Sequence, residues 1–122
     1  NWDPIIGGSI VVQIVKPHQR AMQLYEDAPG ATVQVSDPIK GKDNCLAAGF
    51  TEYLEKSHME WTFDYNEVFF MLEGELTVQE IGKDPVKFEV GDLGYLAEGT
   101  TTIIDVPKHA LLLHVTQPAW QG

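Results

Sequence analysis

The chain has 122 residues, 43% of them hydrophobic and 21% charged, with eighteen acids against eight bases and a formal charge of −10. That length suits one domain over 1–122 with a substantial core. The acidity disfavours nucleic acid and anionic membrane surfaces as partners. No apolar run approaches the roughly 20 residues that span a bilayer, and the chain does not open on a basic segment followed by an apolar stretch and a cleavage site. A cytoplasmic protein is the expectation, with no nucleic-acid and no membrane partner.

Turn residues recur at short intervals, among them Pro29-Gly30, Asp37-Pro38, Gly41-Lys42-Asp43, Gly74, Gly82-Lys83-Asp84-Pro85, Gly91-Asp92 and Glu98-Gly99. Between them lie stretches enriched in Val, Ile, Thr, Phe and Tyr, the pattern of an antiparallel all-β fold. In chain order, strands are predicted over 10–15, 21–26, 32–36, 46–54, 59–63, 67–72, 75–81, 86–89, 93–96, 101–105 and 110–116. No segment carries sustained helical periodicity. In 75–81, Leu76 and Val78 share one side while Glu75, Thr77 and Gln79 share the other, so this strand should have one wet face. Residues 68–72 and 111–113 are apolar on both faces. Their outer sides call for a cover, either a second subunit or an N-terminal strand, and a homodimer is expected. The lone Cys45 has no intramolecular partner and reads as a small core residue.

Two glycine-punctuated segments, 49–74 and 91–102, resemble the paired motifs of the cupins. The resemblance implies a double-stranded β-helix, the RmlC-like jelly roll, with its barrel core at about 44–117 and further strands in 1–43. Glu67 and Gly74 keep the Glu-to-Gly spacing of the first motif. Its two histidine positions fall on Trp61 and Phe63 in one register, or on Glu60 and Thr62 in the other. In the second motif Gly91-Asp92 and Ala97-Glu98-Gly99 are followed by Thr102 where a histidine would stand. First-row metals in such barrels lean on three neutral imidazoles beside the carboxylate. The expectation is therefore no tightly bound transition metal and no other cofactor.

Within the cupins, the run Leu46-Ala47-Ala48-Gly49-Phe50, then Trp61-Thr62, Tyr65, Glu67, Met71, Leu72-Glu73-Gly74-Glu75-Leu76, Gly91-Asp92 and Pro118-Ala119-Trp120 resembles the C-terminal domain of the ethanolamine-utilisation protein EutQ. The resemblance implies a role beside ethanolamine breakdown in bacterial microcompartments, with an acetate kinase activity proposed for the family. The kinase activity is not carried over here. The sequence has no Gly-rich loop running into Lys and Ser/Thr, and few bases to hold phosphates.

Glu67 is the first candidate for chemistry. If the barrel follows the family it points inward with Phe69 and Met71, and desolvation beside Trp61 and Phe63 would raise its pKa and suit it to proton transfer near neutral pH. Alternatively it is a strand-end acid bonded to a backbone amide or to Tyr95. Glu60, Trp61, Phe63, Tyr65, Tyr95 and Thr102 are the candidate ligand-binding residues. His58 and Glu60 could join Glu67 as a weak site for a hard metal or polar ligand, or else face solvent. His114, on an apolar strand, reads as a satisfied core or interface residue. Three readings stay open: a metal-free cupin binding a small polar or amine-bearing metabolite, a lyase or isomerase using a weakly held ion, and a non-catalytic accessory protein with a filled barrel.

Overall fold

The computed structural model describes residues 12–121. Among them, nine strands form: β1 (Gln23–Tyr25), β2 (Val33–Lys40), β3 (Ala47–Tyr53), β4 (Ser57–Thr62), β5 (Asn66–Glu80), β6 (Val86–Glu89), β7 (Leu93–Leu96), β8 (Thr101–Val106) and β9 (Ala110–Gln117). Two short 3-10 turns, Pro17–Gln19 and Lys42–Asn44, are the only helical pieces described, and no described helix is long and apolar enough to cross a membrane. Every strand pairing is antiparallel, in the order β1-β2-β3-β9-β5-β8-β4, with β6 and β7 also paired to β5.

β5 belongs to both walls of the curled sheet. Its first half lies between β7 and β9, and its second half between β6 and β8. Sequence reasoning places two strands here, broken at Glu73-Gly74. Instead the ladder shifts register between Met71 and Glu73 and continues, as a β-bulge permits. Gly74 takes φ +72, and a Cβ there would sit 1.9 Å from the His109 carbonyl oxygen, so only glycine lets the bent strand approach β9 so closely.

A second bulge lengthens β2 beyond the predicted 32–36. The register shifts between Ser36 and Ile39, which accommodates Pro38 in a strand. Asp37 is turned inward by this shift, and its side chain is only 6% exposed. Elsewhere most strands fall within a residue or two of the expected bounds. Of the predicted strand 10–15, residues 10 and 11 lie outside the described residues, and Val12 to Val15 form no strand. Cys45 is exposed rather than in the core, because it closes the Lys42–Asn44 turn ahead of β3.

Strand alternation fills the space between the walls. Phe63, Tyr65, Phe69, Met71, Leu76, Val78, Ile104, Val106 and Leu112 are all buried, each large apolar side chain stabilising the fold by about 1.5–3 kcal/mol relative to exposure. As expected, Leu76 and Val78 are the buried face of their strand. The opposite face of the β5–β7 pair is apolar and open, with Val68, Phe70, Leu93 and Tyr95 exposed.

Candidate binding site

Glu67 lies on the first half of β5, on the same inward face as Phe69 and Met71. It lines a cavity with Trp61, Phe63, Tyr65, Tyr53 and His114, among other residues, which leaves about 60 Å³ for water-sized molecules. At roughly 10–15 Å³ per water centre, that is room for a handful of waters or one small molecule. No Lys or Arg lines it. Among the described residues the Glu67 carboxyl has no hydrogen-bond partner, and the half-buried residue lines this cavity. Burial pushes its pKa up to about 7, with the nearby Asp37 carboxylate adding to the rise and the charge of His114 partly offsetting it. An acid titrating near neutrality can accept or donate a proton, or anchor a cation, in the working pH range.

Beside Glu67 stands a buried polar chain. His114 Nε2 meets Asp37 Oδ1 at 2.6 Å, and its Nδ1 meets Thr51 Oγ1 at 2.7 Å. The Asp37 carboxylate accepts from the Nε2–H, and the Thr51 hydroxyl bonds the other ring nitrogen, so both nitrogens of His114 are engaged within the protein. Asp37 Oδ2 also accepts from Trp120 Nε1 at 2.9 Å and from Gln121 Nε2 at 3.3 Å. Burial raises the Asp37 pKa, but the hydrogen bonds and charge of His114, with those from Gln121 and Trp120, outweigh it and hold the group below its ordinary range. Burial, with the Glu67 charge adding, pushes the Tyr53 and Tyr65 phenols far above theirs, so both remain O–H donors. Thr116 is the register partner of Glu67 on β9. It is 1% exposed, and among the described residues its hydroxyl has no partner.

Three half-buried rings line the cavity nearer the surface. Tyr25, Trp61 and Trp120 pack edge to face, with centroids 5.1–6.2 Å apart and planes 61–73° from one another. Both indole N–H groups are spent on protein acceptors, Trp61 on the Tyr65 hydroxyl at 2.9 Å and Trp120 on Asp37.

Of the residues singled out from sequence, Glu67, Trp61, Phe63 and Tyr65 therefore meet in one cavity. Glu60 does not join them. It alternates with the inward Met59 and Trp61 on β4 and is exposed, as is His58, which pairs with Asp105 on the outer surface. The trio of His58, Glu60 and Glu67 is thus split across the sheet. Tyr95 points outward, pairing with Val68 and donating to Asn66 Oδ1 at 3.2 Å. Thr102 is fully buried, but its hydroxyl donates to the Trp61 carbonyl oxygen at 3.0 Å, and it lines a separate groove with Tyr95. His114 is a satisfied interior residue, as read from sequence, and also a wall of the cavity.

Outside the barrel, His109, Glu52 and Glu73 bring their donor atoms within 4.8 Å of one another, a trio capable of holding a metal ion. His109 Nε2 lies 2.7 Å from Glu52 Oε2, and Gln34 donates to the other Glu52 oxygen at 2.7 Å. Strand pairing assembles this trio. Glu52 on β3 and Glu73 on β5 both register with Leu111 on β9, a proximity that no local motif announces.

A curled antiparallel barrel of this kind has the cupin fold. The structure of an RmlC-like cupin from Shewanella frigidimarina matches with a TM-score of 0.67 and 16% identity, over 90% of this chain and 94% of that one, a likeness of fold alone. More narrowly, the sequence pattern of the family described as "Ethanolamine utilisation protein EutQ" matches residues 3–122, and the chain belongs to that family. The crystal structure of an ethanolamine utilization protein Q from Salmonella typhimurium LT2 matches with a TM-score of 0.78 and 26% identity, over 88% of this chain and 87% of that one. The Clostridium difficile EutQ structure gives 0.66 and 27%, over 75% and 66%. Acetate kinase EutQ of Escherichia coli K12 is 30% identical over 100 residues, 80% of this chain and 42% of that protein. The chain therefore spans less than half the length of that relative.

Proposed function

We propose that this EutQ-family cupin binds a small polar or amine-bearing metabolite inside its barrel, without a transition metal, with Glu67 as anchor or general base, in ethanolamine utilisation. The carrying observation is the carboxyl itself, inward and without a partner among the described residues, in a largely apolar cavity where burial pushes its pKa up to about 7. Buried polar groups are ordinarily satisfied by the protein, so one left open toward a cavity points to a guest. Trp61 and Phe63, at one register of the family's histidine positions, support a metal-free interior. A lyase or isomerase reading built on His58, Glu60 and Glu67 finds less support, since those groups lie on opposite faces of the sheet.

The acetate kinase activity named for the Escherichia coli relative belongs to a longer protein. This cavity offers a nucleotide neither bases nor space. The exposed face of Val68, Phe70, Leu93 and Tyr95 supports a homodimer. Association with a bacterial microcompartment is part of the same proposal, through the family relation.

The test is a thermal-shift screen of metabolites of two to six heavy atoms against the wild type and Glu67→Ala, with elemental analysis of the purified protein. A guest that raises the wild-type Tm and leaves the variant unmoved is expected. A stoichiometric first-row metal that is lost in Glu67→Ala, or no shift across the panel, rejects the reading.

A further inference from the structure

Three features of the cavity bear on the class of its guest. Its one acid, Glu67, finds no hydrogen-bond donor among the described residues. No Lys or Arg lines the space, and the one interior imidazole, His114, is already engaged by Asp37 and Thr51. An anion would therefore find no free positive partner. Trp61 and Trp120 have spent their indole N–H groups on Tyr65 and Asp37, so what these two rings, with that of Tyr25 beside them, offer a guest is π surface, which attracts cations. A net charge of −10 also concentrates cations near the surface.

We infer that the interior site is selective for a small alkylammonium ion, seated on the Glu67 carboxylate and admitted past the π faces of Tyr25, Trp61 and Trp120. This deepens the metabolite-binding reading and rests on it. About 60 Å³ limits the guest to a few heavy atoms, which excludes nucleotides and sugars. A guest cation favours the ionised acid. Its affinity therefore strengthens as pH rises toward and past about 7, where Glu67 loses its proton, and weakens about tenfold per unit well below that. The other charged groups facing Glu67 are His114, whose positive form would oppose a cation, and Asp37, which favours one.

The experiment is calorimetric titration of the purified protein at pH 8 with 2-aminoethanol, tetramethylammonium, acetate and neutral ethylene glycol, followed by tryptophan fluorescence. Ammonium probes should bind, with ethylene glycol at least ~30-fold weaker, the ratio expected of a desolvated cation contact. Glu67→Gln should lower affinity for 2-aminoethanol at least tenfold and leave ethylene glycol unchanged. Trp61→Leu should weaken tetramethylammonium more than ethylene glycol. Preference for acetate or ethylene glycol over the ammonium ions overturns the selectivity and leaves cavity binding standing. Silence from all four probes overturns both.

Discussion

Replacing Glu67 by Gln removes a charge that the folded protein hides and the unfolded chain does not. The carboxyl moves from an ordinary 4.5 to about 7 on folding, which at about 1.36 kcal/mol per pH unit corresponds to roughly 3 kcal/mol. Because the folded state holds this proton more tightly, the contribution is harmless below about pH 4.5, where both states are protonated. Stability then falls between about 4.5 and 7 as only the unfolded chain ionises, and the full cost persists above about 7. The substituted amide keeps the shape and cannot ionise. Urea denaturation of both proteins at pH 4.5 and pH 8 isolates the effect, since every other titrating group is shared. The stability of Glu67→Gln relative to wild type should rise by roughly 3 kcal/mol between the two pH values. A difference constant to within ~0.5 kcal/mol would show that water reaches the carboxyl freely, and the reasoning about its desolvation would be wrong.

His114→Ala should cost about 3–5 kcal/mol in chemical denaturation, because it leaves the Asp37 carboxylate buried with only Trp120 and Gln121 as donors. The same variant should flatten the acid limb of stability, for Asp37, held below its ordinary value, contributes above about 3.8 and loses that contribution on acidification through its lower folded value. Gly74→Ala should lower stability by at least about 2 kcal/mol, readable as a fall in Tm, since it combines a left-handed backbone with a clash at the His109 carbonyl oxygen. Met71→Ala, at a site with no exposure, should cost about 2–5 kcal/mol by urea melt. Leu93→Lys together with Val68→Lys should shift sedimentation toward the monomer while far-UV circular dichroism stays unchanged. A dimer that survives both changes would move the interface elsewhere.

Strand periodicity made much of this molecule readable. Once Glu67 and Phe69 are inward, the order of Trp61, Phe63 and Tyr65 along the neighbouring segment brings them to the same cavity. The same parity excludes Glu60, which adjoins inward Trp61 and must face solvent, and it sends Tyr95 out opposite Val68. Thr102 satisfies parity but is silenced by the Trp61 carbonyl, a bond that depends on the β4–β8 pairing. Asp37 was hidden because Asp-Pro reads as a turn, whereas a bulge carries the strand through it and swings the carboxylate onto a histidine 77 positions away. His114 had a usable signal. It shares the alternation of Ala110, Leu112 and Thr116, which places it inside. Tyr25, Trp120 and the exterior Glu52, Glu73 and His109 trio are joined only by tertiary register, and short-range patterns do not encode that.

The length of β5 has a mechanical consequence. Glu67 and Phe69 on one wall and Leu76 and Val78 on the other are stitched along a single unbroken ribbon, so the two halves cannot swing apart like a clamshell without tearing its ladder. Traffic into the interior must then pass by the swivelling of a few side chains rather than by opening of the shell, so the chamber keeps its shape whether filled or empty.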